Sequence, residues 1–207
     1  MLGVPIGFMT AVYLSKLASP KVKSAMESAV SLLAGIPSVV YGLVGMLVLV
    51  PGIRNLFGVP DGASLLAAII VLAIMILPSI IKMSITALDA VPKEYEEASL
   101  ALGATPIETY FKISVPAAKS GIITAVVLGV GRAIGEAMAV IMVAGNQARI
   151  PDSILKGIRT LTANIVIEMG YATDLHREAL IATGVVLFVF ILLINLTFNL
   201  VKNRGRL

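Results

Sequence analysis

Glu97-Ala98-Ser99-Leu100-Ala101-Leu102-Gly103-Ala104-Thr105-Pro106, continuing to Ile113-Ser114-Val115-Pro116, is a polar, helix-punctuated island between two apolar runs. Local chemistry divides residues 93–116 into two short helices. Pro92 suits a first helical position, where its missing N–H costs nothing. Glu94, Glu96 and Glu97 load the first turns with negative charge, which favours the positive end of the helix dipole. Gly103 supplies the stop. Thr105-Pro106-Ile107-Glu108 then reads as a fresh N-terminus, with Thr105 as N-cap, Pro106 at N1 and Glu108 as the capping-box partner. Ile107, Tyr110, Phe111 and Ser114 share one face of this second helix, and Pro116 follows it. A helix-glycine-helix elbow with an aromatic face is suited to docking.

Outside the elbow the chain is strongly apolar. Apolar residues make up 58% of its 207 residues and charged residues 14%, with a mean hydropathy of +0.99. A soluble core cannot hide that much apolar surface, so the composition defines an all-α, multi-pass helical bundle in a membrane. Uncharged runs place spans at 29–50, 64–81 and 179–201, and a further one at 117–145 is interrupted by Arg132 and Glu136. Residues 1–15 are apolar but short of the roughly 20 residues a spanning helix needs. They are expected to be the second half of a span whose beginning precedes Met1. Gly35-Ile36-Pro37-Ser38 marks a kink within the 29–50 run. The whole of 1–207 is expected to be one transmembrane domain, partial at its N-terminus, with 93–116 as its elbow.

What the chain lacks excludes several chemistries. There is no Cys and a single His, His176, so thiol chemistry and metal sites have almost no material, and no metal site is expected. No Gly-Lys dipeptide occurs, so no Walker A loop exists in it. Asp174-x-His176 has no serine nucleophile in view; Asp174 reads as a helix cap.

Charge sets the topology. With the elbow inside, ten of the sixteen Lys and Arg residues fall on inner segments, from Lys16 to Arg206. Five fall outside, namely Arg54, Arg149, Lys156, Arg159 and Arg177, and Arg132 lies within a span. The positive-inside rule therefore places the elbow and the C-terminus in the cytoplasm. In the outer loop 146–178, Asp152 or Ser153 can cap a helix carrying Ile154, Leu155, Ile158, Leu161 and Ile165, stopped by Gly170. That helix fits either reception of a partner or an interfacial position on the membrane.

Gly129-Val130-Gly131-Arg132-Ala133-Ile134-Gly135-Glu136 is the second informative stretch. Arg132 and Glu136 are spaced to pair on one helix face, and charges at membrane depth mark a pathway or a buried network. An Arg fork suits bidentate recognition of an oxyanion. Gly131 and Gly135 form a small-xxx-small pattern for helix packing. On the residues alone, a substrate path and a structural ion pair both remain open.

The elbow resembles the EAA loop of ABC-importer permeases in the register of Glu97, Ala98, Gly103, Ile113 and Pro116; it departs with Ser99 for the second Ala and Val115 for Leu. The resemblance extends over essentially the whole chain. Gly35 to Gly42, Ala101 to Thr105 and Gly131 to Asn146 look like the PstC-type permeases of phosphate ABC importers, more than like their PstA-type sisters. Such family members carry further helix before the point corresponding to Met1, so the chain is expected to lack its N-terminal part.

The resemblance implies a MetI-like, type I importer fold and a non-catalytic subunit that moves inorganic phosphate across the cytoplasmic membrane. It implies Arg132 and Glu136 in the substrate path. Glu97, Ala98, Gly103, Thr105, Tyr110, Phe111, Ile113 and Pro116 are implied to couple to the ATPase. The implied partners are a PstA-type permease, a PstB-type ATPase dimer and a PstS-type phosphate-binding protein. No cofactor is expected on this chain, since ATP and Mg belong to the ATPase. Other readings are a permease for sulfate or molybdate, a PstA-type subunit, or an ion-gradient-driven secondary transporter.

Overall fold

The computed structural model describes residues 2–204. Gly205, Arg206 and Leu207, and the side chains of Lys202 and Arg204, lie outside what is described, so the basic tail of the topology count is not addressed. The described residues are helical in the main, in the order α1 (Gly3–Val12), α2 (Pro20–Gly35), α3 (Ser38–Val44), α4 (Val50–Phe57), α5 (Leu65–Asp89), α6 (Lys93–Ala101), α7 (Pro106–Thr109), α8 (Val115–Ala117), α9 (Lys119–Gly135), α10 (Met138–Val143), α11 (Leu161–Glu168) and α12 (Asp174–Arg204). Three π-helical turns, Tyr13–Leu17, Gly45–Leu49 and Tyr110–Ser114, extend α1, α3 and α7. Pro51 and Pro116 follow the second and third of them within the continuing helix, while the first ends at the extended Ala18. A proline cannot donate to the carbonyl four residues back and crowds it, so a widened turn just ahead relieves the clash.

Several boundaries differ from the sequence expectation. The 29–50 run is divided, because Pro37 adopts an extended ψ of 143° and starts α3; the helix long and apolar enough to cross is Ser38–Phe57. At about 1.5 Å per residue it is about 30 Å long, the thickness of a hydrocarbon core. The 64–81 run continues as helix past Pro78 and Lys82 to Asp89. The 179–201 run begins earlier, at Asp174. The 117–145 run breaks after Gly135 and resumes at Met138. Leu65–Asp89 and Asp174–Phe198 also have spanning length and apolarity, and Pro106–Ala117 with Lys119–Gly135 forms a further pair bent by 70°.

The chain divides into two compact units, to both of which α5, α9 and α12 contribute residues. In the first (Met1–Gly35, Ile76–Val130, Thr197–Leu207), Ala11, Leu14, Val30, Ile81 and Ile85 form one core cluster. Val12, Leu88, Val91 and Ala118 form another. Gly7 and Gly129 both lie against Ile80, where an added Cβ would come within 2.9 Å of its side chain. The second unit (Ile36–Met75, Gly131–Leu196) is centred on Ile53, Ala67, Ala68, Val71, Ala139, Val140, Val143 and Ala144. There α3 meets α10 at Gly42, where a Cβ would stand 2.8 Å from the Ala139 Cα; only glycine allows that approach.

The outer segment also departs from expectation. Residues 152–160 are not helical, because their carbonyls serve the start of α5: Leu65 N–H donates to Lys156 O at 2.9 Å and Leu66 N–H to Ile154 O at 2.8 Å. The helix is α11, capped by Thr160, whose Oγ1 accepts from Ala163 N. Arg159 fastens this segment, donating to Glu168 Oε1 at 2.7 Å and to Asn146 O at 3.0 Å.

Candidate functional site

The elbow forms as its local chemistry dictates, with one shift. Pro92 is the N-cap of α6 rather than its first helical residue, with ψ 134°, and Glu94 and Glu96 lie in the first turn. At the other end Gly103 adopts φ 88°. Its N–H donates to Leu100 O at 2.9 Å and Ala104 N–H to Ser99 O at 3.3 Å, which is a Schellman closure. The capping box is complete: Glu108 N–H donates to Thr105 Oγ1 at 3.3 Å and Thr105 N–H to Glu108 Oε2 at 3.1 Å. Hydrogen bonds from the Thr105 backbone N–H and hydroxyl, then from Lys112, hold the Glu108 carboxyl below the ordinary glutamate range.

The two helices are stitched together by contacts that spacing alone does not reveal. Ser99 Oγ and Thr109 Oγ1 lie 2.9 Å apart, with Thr109 fully buried. The serine that departs from the EAA pattern therefore has a hydrogen-bond partner inside the elbow. Ser114 Oγ donates to Glu96 Oε1 at 2.8 Å. Ser114 is fully buried, so it leaves the face it was expected to share with Ile107 and Phe111, which stay 60% and 43% exposed. Leu102 is 90% exposed. Glu97, Ala98, Gly103, Thr105 and Pro116 are exposed, and Tyr110 and Ile113 are half-buried. The elbow thus presents apolar side chains and an unburied Glu97 on a closed, capped frame, a surface suited to a protein partner.

The charged stretch is arranged differently from the expected i,i+4 pair. Because α9 ends at Gly135, Arg132 lies in its last turn and Glu136 lies beyond it. Glu136 Oε1 accepts the Ala139 N–H at 3.1 Å and so caps α10. Each charge sits at the helix end whose dipole suits it, the cation at a C-terminus and the carboxylate at an N-terminus. Tyr41, on α3, lies within electrostatic range of Arg132. Thr162, at the start of α11, donates to the Glu136 carbonyl at 2.8 Å. An added Cβ on Gly131 or Gly135 meets no atom within 4 Å; the close approaches on α9 are at Gly121, against Ala87, and at Gly129, against Ile80.

Gly145-Asn146 closes α10. Both residues take positive φ, 78° and 50°; Asn146 Nδ2 donates to Ile141 O at 2.8 Å, and Gly145 pairs with Ile158 in an isolated parallel bridge.

Helices of spanning length and apolarity define the class of the chain, a helical membrane protein. Its fold is that of the permease in structures titled "Inward facing conformations of the MetNI methionine ABC transporter". These match with TM-scores of 0.76 and 0.78 at 23% and 22% identity, over 99% of this chain and 88% of theirs. The chain belongs to the family of binding-protein-dependent transport system inner membrane components, whose model matches residues 3–206. It is therefore a multi-pass membrane protein.

Among curated relatives, the probable ABC transporter permease protein YqgH of Bacillus subtilis is 44% identical, with 94% of this chain and 65% of the relative covered. The phosphate transport system permease protein PstC of Mesorhizobium japonicum is 36% identical over the same shares. PstC of Haemophilus influenzae is 35% identical over 91% of this chain and 66% of its own length. The chain thus spans about 65% of the length of its first curated relatives.

Proposed function

We propose that the chain is a PstC-type permease subunit of an ATP-driven importer that moves inorganic phosphate across the cytoplasmic membrane. The observation that carries the reading is the break at Gly135–Ala137, which sets Arg132 and Glu136 at opposed helix ends within an otherwise apolar stretch. A guanidinium there keeps its charge and offers a planar fork to an oxyanion. Glu136 balances it when the site is empty. The names of the PstC relatives supply the choice of phosphate.

The chain does no bond chemistry in this reading; ATP and Mg2+ bind the ATPase. A PstB-type ATPase dimer receives the elbow through Glu97, Ala98, Gly103, Thr105, Tyr110, Phe111, Ile113 and Pro116. A PstA-type permease packs alongside, with Gly131 and Gly135 open to a neighbouring helix, and a PstS-type protein delivers phosphate from outside. The elbow and the C-terminus are cytoplasmic. ATP binding and hydrolysis shift the permease between outward- and inward-facing states only through different binding energies in the two.

The test is ATP-dependent uptake of labelled phosphate into vesicles carrying this chain with its co-expressed partners, beside an Arg132→Ala version. Uptake that requires ATP, falls in the variant and is not competed by sulfate or molybdate supports the reading. Uptake that persists without the ATPase and collapses with ionophores assigns a secondary transporter instead. Uptake indifferent to Arg132→Ala moves the anion site elsewhere.

A further inference from the structure

Adjacent residues at the end of the first helix reach two carboxylates that lie on either side of a short linker. Ser15 Oγ donates to Asp89 Oδ1 at 2.6 Å, and Lys23 Nζ donates to Asp89 Oδ2 at 2.7 Å. Lys16 Nζ pairs with Glu96 Oε1, the same oxygen that accepts the Ser114 hydroxyl. Asp89 ends α5 and Glu96 lies in the first turn of α6. Only Ala90-Val91-Pro92 and the opening of α6 separate the two carboxylates. The Lys16 and Glu96 side chains are 11% and 20% exposed, so water screens the pair far less than a surface ion pair. Lys16 and Ser114 both sit in π-helical turns, which side chains at functional positions often occupy.

We propose that the Lys16–Glu96–Ser114 link is the rigid connection through which movement of the elbow is passed to the first helix. This inference rests on the reading of the elbow as the ATPase contact. Apart from the link, α6 is joined to α5 and to the first helix through the linker 90–92, whose Val91 packs against Val12, Leu88 and Ala118. Apolar packing of that kind fixes no direction, whereas the link ties α6 itself to the turn after α1. With Ser15 held to Asp89 and Lys16 to Glu96, both sides of the linker are fastened to the same turn, and α1 follows the elbow. Lys16 and Glu96 are positioning residues: they touch neither substrate nor nucleotide in this scheme.

The absence of cysteine allows a direct test. Spin labels at Tyr13→Cys and Glu94→Cys, both exposed positions, report the separation of the first helix and the elbow in the assembled complex. The original pair gives one narrow distance, unchanged between the nucleotide-free and the vanadate-trapped states. Lys16→Met broadens it and makes it nucleotide-dependent. The exchanged pair Lys16→Glu with Glu96→Lys restores the narrow distance, which lost stability alone does not explain. In parallel, phosphate transported per ATP hydrolysed falls roughly fivefold or more in Lys16→Met, the low end of ordinary coupling between sites, while the ATPase still co-purifies.

Identical distances in the original and in Lys16→Met overturn the link. A complex that hydrolyses ATP without moving phosphate overturns the functional reading alone, and the distances still judge the link. Should Lys16→Met fail to fold, Ser114→Ala, which removes only the neutral contact, serves the same comparison.

Discussion

Thr162 donates its hydroxyl to the backbone carbonyl of Glu136 at 2.8 Å, fastening the first turn of α11 to the break between α9 and α10. The outer segment and the charged break are thereby one mechanical piece. Thr162 is buried, so Thr162→Val leaves the Glu136 carbonyl without this donor in a space of the same shape. The expected cost is about 1–3 kcal/mol, read as a lower thermal midpoint of the purified chain in detergent. Under the proposed function, phosphate uptake falls while association with the ATPase partner is unchanged. An unaltered midpoint would show that water or a neighbour replaces the hydroxyl at no cost.

Gly103 closes α6 in a left-handed conformation, φ 88°, and an added Cβ meets nothing within 4 Å. The penalty for a side chain is therefore conformational rather than steric. Gly103→Ala is expected to cost about 1–2 kcal/mol, and Gly103→Asn less, because asparagine visits this region more readily. The ATPase pulled down by the tagged chain should decline in the order Gly, Asn, Ala. Equal recovery from all three would remove the Schellman closure from the docking frame.

Glu108 titrates below the ordinary glutamate range because the Thr105 N–H and hydroxyl, and then Lys112, favour its charged form. A lowered folded-state pKa contributes stability that is present above the unfolded value and is lost as pH falls through the folded one. The difference in thermal midpoint between the original chain and Glu108→Gln should therefore be full near neutral pH and vanish in acid. A difference independent of pH would assign the effect to shape rather than charge.

At the contact of α3 with α10, Gly42→Ala puts a methyl group 2.8 Å from the Ala139 Cα. Backbone cannot turn aside as a side chain can. Overpacking of this kind costs about 1–3 kcal/mol. Gly52, where an added Cβ meets nothing within 4 Å, serves as the control: Gly52→Ala should leave the thermal midpoint unchanged or slightly raised.

Features set by neighbours in sequence were legible beforehand. Thr105, Pro106 and Glu108 specify a helix start by themselves, and Gly103 a stop, whatever surrounds them. The all-α membrane class followed from composition. The break at Gly135–Ala137 was hidden because hydropathy runs on through it, and a carboxylate four residues after an arginine suggests a pair as readily as a cap. The outer helix was misplaced because Ile154, Leu155 and Ile158 have helical spacing, while the carbonyls around them serve Leu65 and Leu66. Glu97, not Glu96, carried the motif; the charged partner of Glu96, Lys16, lies eighty residues away, where no local pattern points to it. Gly131 and Gly135 match a packing motif and meet no atom within 4 Å here, while on the same helix Gly121 and Gly129 lie close against Ala87 and Ile80 without any such pattern to announce them.

The π turn Tyr110–Ser114 holds one residue more than an α-helical turn needs, and Pro116 keeps it there. Such a turn can absorb a deletion. Removing Lys112 would let the turn tighten to regular α-helical winding with Ser114 kept on its face toward Glu96, at the cost of renewed crowding between Pro116 and the carbonyl one turn back. The same deletion from an ordinary α-helical turn would rotate everything beyond it by about 100° and draw it in by about 1.5 Å. The elbow can therefore lose a residue at this point and keep the Ser114–Glu96 contact in register.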